Sequence, residues 1–336
     1  MTPSPSDAAD HSDPEDLSDP ASDPLVGTRL DAYQIESVLG RGGYSVVYRA
    51  RQVSLDREVA LKVLTTDKAG VIEEQVEAFL NEARIGAKLD HPCLLNIYDV
   101  VQAEGKYGLA MELVEGGDLA RRIKRSGPVP WQEAIPILQD VTRALQFAHS
   151  HGYTHRDVKP ANVLLTGEGG ARLADLGLTD TTSHAGTAAF MAPEQILRRK
   201  TGKRTDLYAL GCTAFAMLTG RAPFTGGGQS KAMLKEHVHE LPLLINHFGV
   251  DVPSALENLI DTMLEKQPND RPNNASEVLE VLDGIDLDAP AEPVKLRSRR
   301  SRHHRKRGTS AGSTILVLIL ILAVVVGAMY IWRQFR

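Results

Sequence analysis

The sequence predicts an α+β chain built as two lobes, a small β-rich lobe followed by a larger helical one, with one transmembrane helix near the C-terminus. Three observations predict it. Short segments with apolar residues at every second position crowd between Tyr33 and Leu64, the signature of antiparallel strands. Longer segments with apolar residues three and four apart follow between Ile72 and Leu282, the signature of amphipathic helices. Ile315 to Trp332 is eighteen residues without a charge. At a rise of 1.5 Å per residue this covers roughly 27 Å, close to a hydrocarbon core.

Composition sets the frame. The chain has 336 residues, 42% hydrophobic and 24% charged, enough for a large core in one two-lobed domain or two smaller ones. The net charge of −5 hides an asymmetry, because the N-terminal tail is acidic while Lys295 to Arg307 carries eight Lys or Arg and no acid. Two cysteines, Cys93 and Cys212, stand far apart without a CxxC pair. That argues against a disulfide framework or structural zinc and for a reducing compartment. No basic lead-in with an apolar stretch opens the chain, so no signal peptide is expected.

Residues 1–32 form an acidic tail rich in Ser, Asp and Pro, expected to be disordered because it offers little to bury against the entropy of ordering. The β-rich lobe is expected over about 33–111. Its strands are Tyr33 to Leu39, Val46 to Ala50, Glu58 to Leu64 and Tyr107 to Glu112. Between the first two lies the turn Gly40-Arg41-Gly42-Gly43-Tyr44-Ser45. Without side chains, such a turn can lay backbone N–H groups over phosphates, although a plain hairpin also needs glycine. A dinucleotide fold would continue into a helix here, whereas Val46-Val47-Tyr48 continues as strand.

Helices are expected at Ile72 to Leu89, Pro130 to His149, Thr205 to Leu218 and Ser276 to Leu282. The helical lobe therefore covers about 112–285. Between its first two helices lies His155-Arg156-Asp157-Val158-Lys159-Pro160-Ala161-Asn162, followed by Asp175-Leu176-Gly177. An Asp, a Lys two residues on and an Asn five residues on place a base, a cation and a metal ligand at one corner of a loop. That is a set suited to phosphoryl transfer.

This string, with the glycine-rich turn and the Val-Ala-Leu-Lys pattern ending at Lys62, resembles the protein kinases, and the resemblance covers about three quarters of the chain. Lys159 after the Asp is similar to the serine/threonine subclass of bacterial type. The resemblance implies ATP and Mg²⁺ as cofactors and Ser or Thr side chains of proteins as acceptors. Asp157, Lys159, Lys62 and Glu82 would carry the catalytic roles. Asp157 would orient the acceptor hydroxyl, Lys159 would offset charge on the moving phosphoryl group, and Glu82 would fix Lys62 against the α- and β-phosphates.

By the same resemblance Asn162 and Asp175 would hold Mg²⁺, which prefers oxygen ligands. The nucleotide would lie under Leu39, Gly40, Arg41, Gly42, Gly43, Tyr44, Ser45, Val46 and Val47. Met111 would line the adenine pocket, the backbone from Glu112 to Val114 would meet adenine, and Asp118 would reach the ribose. Ser45 stands where the third glycine is expected, implying a stiffer loop, and Leu176 replaces the usual Phe. Gly86 stands where the family has a larger apolar residue, so the helix of Glu82 is expected to dock loosely and depend on activation.

Thr179, Thr181, Thr182 and Ser183 fall in a short activation segment ending at Met191-Ala192-Pro193-Glu194. Arg156 beside Asp157 is a cation that a phosphorylated hydroxyl there would satisfy. Asp206 is similar to the aspartate that braces the catalytic loop, and Arg271 is implied to pair with Glu194.

Residues 286–314 read as a linker with a basic juxtamembrane run, 315–332 as the transmembrane helix and 333–336 as a short tail outside the cell. The charge bias places the kinase domain in the cytoplasm of a single-pass membrane protein, with no sensor outside. Residues 295–307 are expected to meet anionic lipid, and no nucleic-acid partner is expected. Ala323 and Gly327, four apart, allow close approach of two spans and hint at a homodimer. The rival readings are a catalytically weak or silent membrane-tethered scaffold with a kinase fold, and a small-molecule phosphotransferase. The second would lack the Met191 to Glu194 and Asp270 to Pro272 patterns.

Overall fold

The structure of the protein, a computed structural model, describes residues 23–65, 73–176 and 188–288. The chain divides into two compact units, 1–292 and 293–336, and all described residues belong to the first.

The small lobe is a six-stranded antiparallel sheet of β1 (Arg29–Leu30), β2 (Tyr33–Arg41), β3 (Ser45–Gln52), β4 (Arg57–Leu64), β5 (Ile97–Ala103) and β6 (Lys106–Met111), in the order β1-β2-β3-β4-β6-β5. Period-two alternation sends Val46, Tyr48 and Ala50 into an outer core with Tyr33, Ile35, Val59, Leu61 and Val63. The opposite face carries Val47 and, directly across the β3–β4 ladder, Lys62. A helix, α1 (Glu73–Gly86), packs on that sheet through Phe79 and Ala83 against Leu64 and Leu109.

The large lobe holds α2 (Leu119–Ser126), α3 (Trp131–Ser150), the hairpin β7 (Val163–Leu165) and β8 (Ala171–Leu173), then α4 (Pro193–Ile196), α5 (Lys203–Thr219), α6 (Ser230–His239), α7 (Ser254–Met263) and α8 (Ala275–Asp283). Every residue of α5 from Thr205 onward is buried, so it is the hub around which α3 and α7 pack. Asn274 caps α8 by accepting from the Glu277 N–H at 3.1 Å.

One expected boundary moves. Residues 23–32 are folded, ahead of the boundary expected at residue 33, and residues 1–22 lie outside the described residues. The physical cause is burial: Leu30 is sealed in the outer core, Leu25 and Val26 pack against it, and β1 pairs with the start of β2. Among the described residues no helix is long and apolar enough to cross a membrane. The expected span 315–332 and the basic run 295–307 lie outside the described residues, as do Gly177, Thr179, Thr181, Thr182 and Ser183.

Candidate active site

Between the lobes, β4 delivers Lys62 to two carboxylates. Its Nζ lies 3.0 Å from Glu82 Oε1 and 2.9 Å from Asp175 Oδ1, so one ammonium ties the sheet, α1 and the turn after β8. Burial works against the Lys62 charge, but Asp175 and Glu82 outweigh it and hold the ammonium above its ordinary pKa. Burial pushes the Glu82 carboxyl up to about 7. Asp175 goes the other way: burial is opposed by Lys62, which holds this carboxyl low. Lys62 thus favours the charged form of Asp175, the form a cation ligand needs.

The catalytic loop is held from below. Asp206, at the start of α5 and wholly buried, accepts from the N–H of His155 at 2.8 Å and of Arg156 at 2.7 Å. It also bonds His149 Nε2 at 2.7 Å. Two charge-assisted bonds to successive amides fix the loop where Arg156 takes a positive φ of 66°, a conformation most side chains avoid. Gln195 in α4 donates to the Arg156 carbonyl at 3.0 Å, so the end of the activation segment supports the same loop.

That bracing converges Asp157, Lys159 and Asn162. Lys159 Nζ donates to Asp157 Oδ2 at 2.8 Å, and Asn162 Nδ2 donates to the Asp157 carbonyl at 2.8 Å and to Oδ2 at 3.1 Å. Asp157 Oδ1 is buried and has no hydrogen-bond partner among the described residues. A buried acceptor left this way costs free energy, and an incoming hydroxyl donor would satisfy it. With its amide nitrogen committed to Asp157, Asn162 has its oxygen as the end able to meet a cation. The Asn162 carbonyl accepts from the Ala174 N–H at 2.8 Å, which sets Asp175 next to this cluster.

The glycine-rich turn closes between β2 and β3 with the Gly42 N–H donating to the Ser45 carbonyl at 2.7 Å. Arg41 points its guanidinium to Asp23 at 2.7 Å. At the hinge Met111 is buried, the Glu112 N–H donates to the Asn96 carbonyl at 2.9 Å, and Glu112 Oε1 pairs with Arg172 at 3.4 Å. Asp118 caps α2, accepting from the Arg121 N–H at 2.8 Å and pairing with the Arg121 side chain at 3.2 Å. Arg121 in turn reaches the glycine-rich turn, for a Cβ built on Gly40 would meet its guanidinium at 2.9 Å.

Gly86 does not leave α1 loosely docked. A Cβ there would fall 2.0 Å from Ile97 Cδ1, so β5 supplies the side chain that fills the space. Ile97 and Gly86 together line a small cavity with Glu82, Asp175, Met111 and Leu176. The expectation of loose docking is corrected by this exchange of bulk between helix and strand.

Several supporting residues escape a reading by spacing. Asp23, Asn96, Arg172, His149 and Gln195 act through partners 16 to 60 residues away. For Asp23 the one available signal was the apolar pair Leu25-Val26 beside it, a hint that the tail is buried there.

Comparison with known proteins agrees with this geometry. Residues 33–281 match the model of the protein kinase domain. The chain is 36% identical to the serine/threonine-protein kinase PrkC of Bacillus subtilis over 76% of its own length and 40% of the relative's. It is 35% identical to PknB of Mycolicibacterium smegmatis over 77% and 44% of the two lengths. It is also 35% identical to PknL of Mycobacterium tuberculosis over 84% and 73%. The chain thus spans less than half of PrkC and PknB and nearly three quarters of PknL. On its fold, its matched residues and these relatives, the chain belongs to the protein kinase family, among the bacterial serine/threonine kinases.

Proposed function

We propose that the chain transfers the γ-phosphate of Mg-ATP to Ser or Thr hydroxyls of proteins, itself included. The observation that carries this is the orphaned Asp157 Oδ1 beside Lys159, Asn162 and the Lys62–Glu82–Asp175 triad. Asn162 and Asp175 offer the hard oxygen donors that suit Mg²⁺, which when bound offsets phosphate charge. Lys62 would exchange part of its contact with Asp175 for phosphate oxygens, with Glu82 keeping it in line. The Glu112 N–H is taken by Asn96, so the hinge groups meeting adenine are the Glu112 carbonyl and the backbone of Leu113 and Val114. Asp157 accepts the acceptor's proton as its oxygen bonds to phosphorus and the bond to the departing diphosphate breaks.

The test is incubation of the chain with labelled Mg-ATP, followed by mapping of phosphorylated residues. Label should enter the chain itself, within Thr179, Thr181, Thr182 and Ser183, and replacement of all four by Ala should cut the activity toward an added protein substrate. No label from the intact chain under varied conditions favours the silent scaffold; unchanged activity of the quadruple variant removes the switch.

We also propose that 315–332 anchors the kinase domain to the cytoplasmic face of a membrane, with 295–307 on anionic lipid and Ala323 and Gly327 at a dimer contact. The support is the uncharged stretch with eight basic residues ahead of it. The full chain should sediment with membranes through a high-salt wash and cross-link as a dimer, and a chain ending at Glu292 should do neither. Soluble recovery of the full chain would remove the anchor.

A further inference from the structure

Asp23 lies ten residues ahead of the segment matched by the kinase family model and yet is buried at 7% exposure. Its Oδ2 pairs with Arg41 Nη2 at 2.7 Å, and its Oδ1 accepts from the Tyr48 hydroxyl at 3.1 Å and the Leu25 N–H at 3.0 Å. Arg41 is the residue between Gly40 and Gly42. The β2–β3 register sets Arg41 opposite Val46, and directly paired residues share a face. Val46 and Tyr48 belong to the outer core, while Val47 and Lys62 belong to the cleft side. The Arg41 side chain therefore leaves the cleft and is caught from behind by Asp23.

A turn carrying Gly40, Gly42 and Gly43 has much conformational freedom to lose when it orders over a ligand. A tether on its outer face removes some of that freedom in advance without occupying the cleft. From this geometry we propose that Asp23 is a positioning residue for the glycine-rich turn, acting through Arg41 to hold it ready for nucleotide. The inference rests on the reading of the chain as an ATP-dependent kinase, and it makes a residue outside the family's own span part of nucleotide binding. It also gives the N-terminal segment a purchase on the active site.

The test uses the full chain, with Mg-ATP titrated by calorimetry. Asp23→Asn keeps the oxygen that accepts from Tyr48 and Leu25 but replaces the carboxylate oxygen facing Arg41 with an NH₂, so the guanidinium loses its counter-charge. Weakening of Mg-ATP binding by about three- to tenfold is expected, the range of a charge-assisted bond to a half-exposed guanidinium. Arg41→Met should weaken binding by the same factor, and the double variant no further, since both act through one contact. In Asp23→Asn the rate at saturating ATP should stay within about twofold, because the catalytic loop is untouched.

Amide exchange across Arg41 to Val46 should quicken in Asp23→Asn without nucleotide. An unchanged affinity, with or without a lower melting temperature, would reduce Asp23 to a staple for the N-terminal segment. Additive losses in the double variant would overturn the route through Arg41. Should the wild type bind no nucleotide, the kinase reading falls, and exchange at the turn still decides whether Asp23 holds it.

Discussion

Replacement of Asp157 by Asn should slow phosphate transfer by about 10²–10⁴, the range for loss of a positioned general base, while Mg-ATP binding and the melting temperature stay near those of the wild type. Asp157 Oδ2 receives Lys159 at 2.8 Å and Asn162 at 3.1 Å. Its Oδ1 is the buried acceptor left for a substrate hydroxyl. An amide cannot keep both arrangements. If its oxygen stays with Lys159 and Asn162, its NH₂ takes the Oδ1 position and meets the hydroxyl as donor against donor. If it flips, the NH₂ faces Lys159, which has only protons to offer. In the first case the acceptor hydroxyl loses its orientation, and in both it loses the destination of its proton, since an amide is no base. Single-turnover transfer from labelled Mg-ATP, measured beside nucleotide binding, checks this. A variant transferring within tenfold of the wild type would take Asp157 out of the chemistry.

The parts of this site that are local in sequence are legible there. Asp157, Lys159 and Asn162 sit within six residues, and the structure brings them within hydrogen-bond reach. Lys62 and Glu82 are 20 residues apart. No periodicity links them, and only the resemblance paired them. The strands β2, β3 and β4 show in the alternation of their apolar residues because one face is buried. The strand Ile97–Ala103 does not, since it is an edge strand with an irregular pattern of exposure. The hairpin Val163–Leu165 and Ala171–Leu173 is too short to show a period at all. Gly86 misled because a missing side chain on a helix says nothing about which neighbour fills the gap. Ile97 does so from another element, and that complementarity exists only in three dimensions.

Loss of Arg271 should be the most damaging single change to stability. Its guanidinium grips Glu194 with two bonds, Nη1 to Oε1 at 2.7 Å and Nη2 to Oε2 at 2.9 Å, and donates to the carbonyls of Arg204, Glu265 and Lys266. Arg271 is 3% exposed and Glu194 4%. Arg271→Met would leave a buried carboxylate with the Thr205 hydroxyl and three carbonyls short of a donor. Breaking a buried pair by removing one partner costs about 3–5 kcal/mol, or roughly 6–20 °C of melting temperature for a domain of this size.

The pH dependence separates this cause from simple loss of packing. In the wild type, burial opposes the Glu194 charge but Arg271 overcomes it and holds the carboxyl below its ordinary pKa. Its contribution is therefore complete above the ordinary carboxylate range and lost as pH falls through the depressed value. Without Arg271, burial is opposed only by a backbone N–H and the Thr205 hydroxyl, so that pKa rises and the variant recovers as Glu194 takes up a proton. The gap between the two melting temperatures should narrow as pH falls from 7 toward the ordinary carboxylate range. Arg271→Met with Glu194→Gln should recover part of the loss at pH 7. A gap independent of pH, or a loss under about 2 °C, would mean the pair does not carry this corner of the lobe. The same corner sets the active site, because Gln195 beside Glu194 holds the Arg156 carbonyl at 3.0 Å. Activity should therefore fall ahead of global unfolding as the variant is warmed.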